Sequence, residues 1–566
     1  MITKINNKKW GRRAMLKVFS YLSPLTSYLF LLPLTSYLFL SCSLDENPKD
    51  QIPEEEAYAD ADALFRNTVA TLYNYIGGAT DGQGLQGTCR GIYDLQTFAS
   101  DEAIIPTRGT DWYDGGIWQE LYRHDWTPGH PMLGNAWSYL YKVITLCNRS
   151  LELLESHQHL LKEIDYLDYV GEVRALRAIY YWYLMDLFGR VPIITTTHTS
   201  LSQLEQAPRS QVFKFVASEL QQACPYLSRE YSARPGDHYG RVTYHVACFV
   251  LAKLMLNAEV YLDNNWTDRD RPNGSTMMLS VNDTTMNAWE ATVYYCKELE
   301  DSYYELEPTY TNNFEVHNEN SSENIWTIPM DRDLYYNEMQ YHFRSWHYRH
   351  AAAFGFTGEN GACATKHTLQ VFGYDTEEQD KRFLFNYFEG VVTNNNRHLV
   401  YDRNGNMLEY KPWEVELDLS DSPYLETAGA RMNKYVVDKN ATKDGKLMDN
   451  DIVLFRYSDV LLMRAEALLR NGQAEEGQKY FNAVRKRVDA PDRTLTLQNL
   501  LNERLMELCW EGWRRQDLIR FGKYESLFMG DQWDAKVDER DGHTTVFPIP
   551  GNMIDFNPNL TQNPGY

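Results

Sequence analysis

Apolar residues along this 566-residue chain recur mostly at helical spacing. In long stretches they fall three and four residues apart, as they do on one face of an α-helix. Glycines and polar turns separate the stretches. The pattern therefore predicts a mostly α-helical protein. The predicted helices are 57–76, 133–155, 164–187, 209–226, 243–261, 288–304, 458–471, 474–488 and 497–512.

Helical periodicity fades between residues 308 and 451. This part is rich in Asn, Asp, Gly and Tyr, which favours loops with a few short strands and helices. The sequence therefore predicts three parts after an N-terminal leader at 1–41. They are a helical part at 42–307, a loop-rich variable part at 308–451 and a second helical part at 452–566.

Two neighbouring predicted helices, 458–471 and 474–488, have the residue spacing of a tetratricopeptide unit. The positions are Leu461, Ala465, Leu468, Gly477, Phe481 and Val484. Ala465 and Gly477 are small enough to let the two helices cross closely, and Phe481 would fill the groove between them. Stacked helix pairs bury a continuous core, so we expect such pairs elsewhere in the chain.

The first 41 residues have the polarity of an export signal. Residues 1–17 hold six basic side chains and no acid, and residues 18–40 are uncharged and largely apolar. A tandem copy of PLTSYLFL, at 24–31 and 33–40, lengthens the apolar stretch. A membrane span is therefore the alternative, since about 20 apolar residues cross a bilayer. The basic flank and the two prolines favour a signal.

The end of this leader looks like a bacterial lipobox. Leu40 and Ser41 precede Cys42, and two acidic residues follow at 45 and 46. This arrangement resembles the surface-export signal of Bacteroidetes-type lipoproteins, although Phe39 departs from the usual leucine. Cys42 is the predicted lipidation site, and stable anchoring requires more than one acyl chain.

The composition disfavours nucleic acid as a partner. The chain carries 55 Lys and Arg against 78 Asp and Glu. Without the six basic residues of the leader, 49 basic residues face 78 acidic ones, a net charge of −29. Nucleic acids require a basic footprint. Aromatic residues make up 14% of the chain, which indicates a large core with aromatic surface to spare.

Motifs for catalysis, metals and cofactors are missing from the sequence. The seven cysteines after Cys42 are scattered without a CxxC pair, so we expect free thiols. A GxGxxG match at 82–87 follows a predicted helix instead of a strand, which indicates a loop. His342, His347 and His350 lie at spacings that fit no standard metal motif. We expect no cofactor and no enzyme active site.

Several long motifs, all in the same order, resemble those of the SusD/RagB family. The motifs are SDE at 100–102, EVRALRAIYYWYLMDLFGRVP at 172–192, FRYSDVLLMRAEA at 455–467, NER at 502–504, EGWRRQDLIRFGK at 511–523, FPIP at 547–550 and QNPGY at 562–566. The resemblance covers essentially all of residues 42–566. We expect the charged residues at 514–517 to form a buried Arg–Asp network and not to contact a ligand.

The resemblance implies a fold, a location and a role. Proteins of this family are lipoproteins on the outer face of the outer membrane, with tetratricopeptide-like helix pairs and a variable, loop-rich part. They bind glycans without cleaving them. They also form a lid on a SusC-like TonB-dependent transporter. A lid for peptides or another nutrient is the alternative role, and a glycoside hydrolase is a more distant one.

The family also implies that ligand residues come from two variable regions. Aromatic rings stack on the flat C–H faces of sugars, and polar side chains bond to the hydroxyl edges. The first region offers Arg108, Asp111, Trp112 and Tyr113; the second, at 331–361, offers Tyr335, Tyr336, Arg344, Trp346 and Tyr348. Trp112 and Trp346 are the predicted stacking platforms, with local packing as the alternative for each. The His and Arg residues at 342–350 suggest a basic cluster that could meet acidic sugars.

Overall fold

Long helices form most of the protein, as the apolar spacing predicts. The computed structural model describes residues 57–78, 82–268, 270–335, 337–524 and 541–566, and residues 58–566 form one unit. The helices are α1 Ala61–Phe65, α2 Thr71–Tyr73, α3 Ile92–Thr97, α4 Ile117–Arg123, α5 Pro131–Ser156, α6 Glu163–Phe188, α7 Arg209–Ala223, α8 Tyr244–Leu256, α9 Ala258–Tyr261, α10 Ala288–Glu300, α11 Tyr341–Ser345, α12 Tyr348–Ala353, α13 Lys366–Val371, α14 Arg382–Asn386, α15 Tyr457–Arg470, α16 Ala474–Arg487, α17 Leu497–Leu508, α18 Arg514–Arg520 and α19 Gly551–Phe556. The predicted fold class is confirmed.

Two predicted helices are interrupted. The first is split by a π-helix at Arg66–Ala70 between α1 and α2. The second is divided between α8 and α9 at Asn257, whose side-chain amide donates to the backbone carbonyl of Lys253. Local side-chain bonds of this kind compete with the helical ladder, and apolar spacing does not reveal them.

The helices pack in neighbouring pairs. Helix α5 lies on α6, α6 on α7, α8 on α10 and α15 on α16. A Cβ atom added at Gly477 would lie 2.9 Å from the carbonyl oxygen of Ala465, so α15 and α16 cross too closely for a larger residue. Phe481 is fully buried beside them. The tetratricopeptide-like pair is therefore confirmed.

The strands are short and form two-stranded sheets, some between neighbouring segments and others between distant parts of the chain. The strands are β1 Ala103–Ile104, β2 Val191–Pro192, β3 Gln206–Ala207, β4 Met278–Val281, β5 Thr284–Asn287, β6 Asn324–Ile328, β7 Cys363–Ala364, β8 Tyr387–Phe388, β9 Gly390–Val391, β10 Glu409–Tyr410, β11 Arg431–Met432 and β12 Ile452–Arg456. All pair antiparallel, as β1–β7, β2–β3, β4–β5, β6–β12, β8–β11 and β9–β10. The loop-rich character of 308–451 is as predicted, whereas the division into three parts stays a prediction.

Residues 390–410 form a small unit of three extended segments, which we call the three-strand unit. Three backbone hydrogen bonds join the segments. The N–H of Val392 donates to the carbonyl of Leu408 at 2.9 Å, and the N–H of Leu408 donates to the carbonyl of Val400 at 2.8 Å. The N–H of Val400 donates to the carbonyl of Val392 at 3.0 Å. All three side chains are buried. The unit arises from an eight-residue repeat that the sequence analysis missed, VVTNNNRH at 391–398 followed by LVYDRNGN at 399–406.

The charged residues of the EGWRRQDLIRFGK motif are buried and paired. Arg514 binds Asp101 at 2.6 Å, and Arg515 binds Asp186 at 3.1 Å. Asp517 binds Arg504 at 2.8 Å. The contacts with Asp101 and Asp186 tie the C-terminal motif to residues that lie hundreds of positions earlier. The predicted structural role of the motif is confirmed.

Two adjacent carboxyl groups, Asp101 and Glu102, have opposite pKa shifts. Burial alone would raise the pKa of Asp101, but the charges of Arg514 and His367 outweigh it and hold that pKa far below its usual range. Burial raises the pKa of Glu102 to about 8, although the backbone N–H of Trp510 donates to its carboxylate at 2.6 Å. Glu102 is therefore protonated in the folded protein at neutral pH.

Glu102→Gln is expected to make stability less dependent on pH. A glutamate in the unfolded chain has a pKa of about 4.3. Between about pH 4.3 and about pH 8 the folded protein therefore binds one proton more than the unfolded chain. Its free energy of unfolding falls as the pH rises through this window, by at most about 1.4 kcal/mol per pH unit. Urea unfolding of both proteins at about pH 5 and about pH 8 measures the difference. Identical pH dependence would contradict the assignment, and the exposed Glu378→Gln serves as the control.

None of the helices in the described part of the chain is long and apolar enough to cross a bilayer. Residues 1–41 and Cys42 lie outside the described residues. The export signal and the lipidation site therefore stay predictions.

Candidate functional site

The two variable regions that the sequence singled out meet at the surface. The loop after β1 contacts the segment that contains α11 and α12 through two hydrogen bonds. The indole N–H of Trp112 donates to the backbone carbonyl of Glu359 at 2.6 Å. The hydroxyl of Tyr348 donates to the carboxylate of Asp111. Residues more than two hundred positions apart therefore share one surface.

The loop is anchored at its start and has an unusual backbone beyond it. The N–H of Thr107 donates to Leu417 at 3.0 Å, and a tight turn joins Arg108 to Asp111 through reciprocal backbone bonds of 2.9 and 3.1 Å. Trp112 and Asp114 then have φ values of 59° and 45°. Non-glycine residues rarely occupy this region, which costs about 1–3 kcal/mol and is found most often at functional sites.

Trp112 is half-buried and held from two sides. Its ring meets Trp118 edge-on, with centroids 5.7 Å apart. A Cβ atom added at Gly361 would lie 2.5 Å from its ring, so only glycine fits there. Trp118 is buried at the start of α4. The packing fixes the orientation of the Trp112 indole while part of it stays exposed.

Tyr113, Tyr348 and Arg403 extend the surface around Trp112. Tyr113 is 53% exposed. Burial, and then the bond to Asp111, raise the pKa of the half-buried Tyr348, so its hydroxyl stays protonated. The exposed guanidinium of Arg403, from the three-strand unit, lies 5.5 Å above the ring of Tyr348. We call Asp111, Trp112, Tyr113, Tyr348 and Arg403 the loop-junction surface.

Two of the predicted ligand residues in the second region, Trp346 and Arg344, are buried and have structural roles. Trp346 is 1% exposed; its indole donates to Met432 at 2.8 Å and its ring stacks on His350 at 3.9 Å. Arg344 is buried and makes two 2.8 Å bonds to Asp94. Trp346 therefore cannot serve as a stacking platform in this structure, and the prediction for both residues is wrong. In this segment buried and exposed side chains follow each other without a regular period. The sequence therefore gives no sign of which ones are buried.

Arg108 is also buried and bonds to backbone carbonyls and to the sulfur of Cys363. Its guanidinium donates to Leu425 at 2.8 Å and to Ala428 at 2.9 Å. Burial, and then the charge of Arg431, lower its pKa to about 9. Arg108 therefore supports the loop from below, and the prediction that it contacts ligand is wrong.

Four of the five basic residues of the predicted cluster at 342–350 lie below the surface, whereas Arg349 is exposed. His342, His347 and His350 are all buried. Burial lowers the pKa of His342 to about 4 and also lowers the pKa of His350. The histidines are therefore neutral and inaccessible, and the expectation that the cluster as a whole meets acidic sugars is wrong. Arg349 is its one exposed side chain.

Tyr335 lies apart from the loop-junction surface. It is 44% exposed and lines a cleft that none of the five surface residues contributes to. Tyr336 lies outside the described residues. Sequence reasoning missed Arg403, although the eight-residue repeat could have shown that 399–406 forms an extended segment and a turn.

The loop-junction surface offers aromatic rings beside a carboxylate, a phenol hydroxyl and a guanidinium. Aromatic faces contact flat apolar surfaces, and the polar groups bond to hydroxyls at the edges. Among the residues that the structure describes, no three His, Cys, Asp or Glu side chains lie together as metal ligands. The geometry suits reversible binding of a flat ligand with polar edges.

Comparison with known proteins places the chain in a family of binding proteins. The model of the SusD family matches residues 314–566, and a second model, described as starch-binding and associating with the outer membrane, matches residues 44–256. The chain belongs to the SusD family. The family is associated with the outer membrane.

Characterised relatives and solved structures match over most of their length. The chain is 26% identical to the starch-binding protein SusD of Bacteroides thetaiotaomicron, over 86% of this chain and 87% of that protein. It is 24% identical to the SusD-like protein P25 of Formosa agariphila, over 92% and 94%. The surface glycan-binding protein A of Bacteroides thetaiotaomicron, solved with laminarihexaose, matches with a TM-score of 0.66 at 19% identity, over 89% of this chain and 99% of that one. This structural match shows the shared fold.

Proposed function

We propose that this protein is a cell-surface glycan-binding lipoprotein that captures oligosaccharides or polysaccharides without cleaving them. The observation that carries the proposal is the loop-junction surface, where the half-exposed Trp112 lies beside the exposed Tyr113 and the Tyr348–Asp111 pair. Rings with fixed orientation and adjacent hydrogen-bonding groups match the alternating apolar faces and hydroxyl edges of sugars. Relatives named as binding starch and laminarihexaose support the same ligand class.

The location and the partner follow from the family. We propose that Cys42 carries the lipid, that the mature protein faces outward from the outer membrane, and that it delivers its ligand to a SusC-like TonB-dependent transporter. The second family model, named for outer-membrane association, supports the membrane. A lipid on the segment that precedes the folded unit would keep the protein beside its transporter.

Trp112→Ala is expected to weaken binding of the cognate glycan at least about tenfold, because truncating a central aromatic contact costs about 2 kcal/mol. Affinity electrophoresis against starch, laminarin and other polysaccharides identifies the ligand, and titration calorimetry measures the change. Trp346→Ala is expected to act through stability, because its indole is buried.

The exposed aromatic Phe556 provides a control at another place on the surface. Phe556 is 74% exposed in α19, and Phe556→Ala should leave binding unchanged. A bound glycan that Trp112→Ala does not weaken would refute the loop-junction surface as its site. Peptide capture without glycan binding would favour the peptide-lid alternative, and release of reducing sugar would identify an enzyme.

A further inference from the structure

A cleft of about 530 Å³ lies between the N-terminal helices, the turn at 237–241 and the segment after β6. Its size is within the range of about 300–1,000 Å³ that is typical of small-ligand sites. None of the residues of the loop-junction surface lines it. The cleft is therefore a separate candidate site.

The walls of the cleft combine aromatic and aliphatic side chains with polar groups. Phe65, Tyr73, Tyr239 and Tyr335 contribute rings, and Asp237 and Asn337 contribute hydrogen-bonding groups. Leu334 and Tyr335 stand at the mouth, 71% and 44% exposed. Rings beside amide and carboxylate groups are the combination that holds a sugar by its faces and its hydroxyls.

The charges inside the cleft are already paired. Arg241 donates to Glu172 at 2.9 Å through its Nε, and the hydroxyl of Tyr73 also donates to Glu172. Below the floor, Asp451 accepts hydrogen bonds from Tyr239 at 2.6 Å and from Thr327 at 2.9 Å. An anionic ligand would find no unpaired cation among the described residues of these walls, because Arg241 is bound to Glu172. The carboxylate of Asp237 would also repel it, whereas a neutral ligand meets neither cost.

Two polar groups at the mouth remain free among the described residues. The side-chain carboxylate of the exposed Asp237 and the hydroxyl of Tyr335 make no hydrogen bond or ion pair there. A carboxylate accepts bonds from two neighbouring hydroxyls, and a phenol both donates and accepts. These groups match the edge of a saccharide.

The backbone of one wall is also unusual. Ala70, on the lining, is the last residue of the π-helix Arg66–Ala70, and Phe65 immediately precedes it. π-Helical turns are rare and frequently occur at functional sites. This observation is independent of the side chains and points to the same cleft.

We propose that this cleft is a second binding site, which takes a short uncharged saccharide between Tyr335 and the N-terminal helices. Ring stacking on Tyr335 and hydroxyl bonds to the carboxylate of Asp237 and the phenol of Tyr335 would hold it. The site does not depend on the loop-junction surface, so one chain would contact a glycan at two places or bind two glycans.

Hydrogen exchange of the whole protein with maltotriose, laminaritriose or cellotriose at millimolar concentration tests the proposal. At least one of these neutral trisaccharides should slow exchange in Arg66–Ala70 and at 327–337, and trigalacturonate should not. Tyr335→Ala and Asp237→Ala should each weaken this protection about tenfold, as expected for loss of one good contact. Tyr113→Ala, which removes an exposed tyrosine from the other site, should leave the protection of the cleft unchanged. The exposed Tyr226→Ala is the control outside both sites.

The outcomes separate the two sites. Three results would overturn the second site. The first is that none of the three sugars protects the cleft, and the second is that trigalacturonate protects it equally. The third is that protection survives both Tyr335→Ala and Asp237→Ala. Loss of protection in Trp112→Ala would also overturn it, because the two sites would then not be independent. Another outcome would separate the proposals. If the sugar still protects the cleft and Trp112→Ala does not change glycan affinity, the second site is upheld and the first is refuted.

Discussion

Arg456→Met is expected to lower the free energy of unfolding by about 3–5 kcal/mol, the cost of removing one partner from a buried ion pair. The guanidinium of Arg456 is buried where β12 meets α15. It binds Glu323 at 2.7 Å and Glu511 at 2.8 Å, and it also binds Glu507. Methionine would leave these carboxylates with less compensating charge and without water. Urea unfolding followed by tryptophan fluorescence measures the loss.

An exposed ion pair provides the matched control for this substitution. Arg66 and Asp62 lie 3.0 Å apart, and their side chains are 65% and 72% exposed. Such surface pairs contribute about 0–1 kcal/mol, so Arg66→Met should change stability little. Equal effects of the two substitutions would show that the buried network does not stabilise the fold in the way we infer.

Cys42→Ala is expected to abolish attachment of the protein to the cell surface and to leave ligand binding by the purified protein intact. Our proposal places the only lipid on this cysteine, and without acyl chains nothing inserts into the bilayer. Membrane fractionation and antibody labelling of intact cells measure attachment. Cys89→Ala, at a half-buried free cysteine, is the control. Unchanged attachment of the Cys42→Ala protein would favour the alternative, in which the apolar stretch at 18–40 stays uncleaved and spans the membrane.

The loop-junction surface illustrates how a stable scaffold presents a variable site. The contacts of Trp112 with Glu359 and of Tyr348 with Asp111 rest on buried supports, namely Arg108 beneath the first loop and the Arg344–Asp94 pair beneath the second. Substitutions in these supports would therefore change the site indirectly. Exposed aromatic residues can vary while the buried network keeps their position.

Much of the fold could be predicted from the sequence, because the apolar period of a helix is a local property. Helices α5, α6 and α15 begin and end within two residues of their predicted limits. Ala465 and Gly477 predicted a close crossing since small residues are needed wherever two helices approach. The Arg–Asp network was expected from the resemblance of the C-terminal motif to the family, and its pairing agrees with the need of buried charges for partners.

The candidate site was only partly predictable. The sequence alone determined a helical protein, its tetratricopeptide-like pair, an acidic surface and two aromatic-rich variable segments. Only the tertiary structure decided that Trp112 stays half-exposed while Trp346 is buried, and that Arg403 from a third segment joins Tyr348. It also placed Tyr335 at a separate cleft. The physical reason is that exposure in an aperiodic loop depends on which distant segments pack against it, and no local pattern of residues records those contacts.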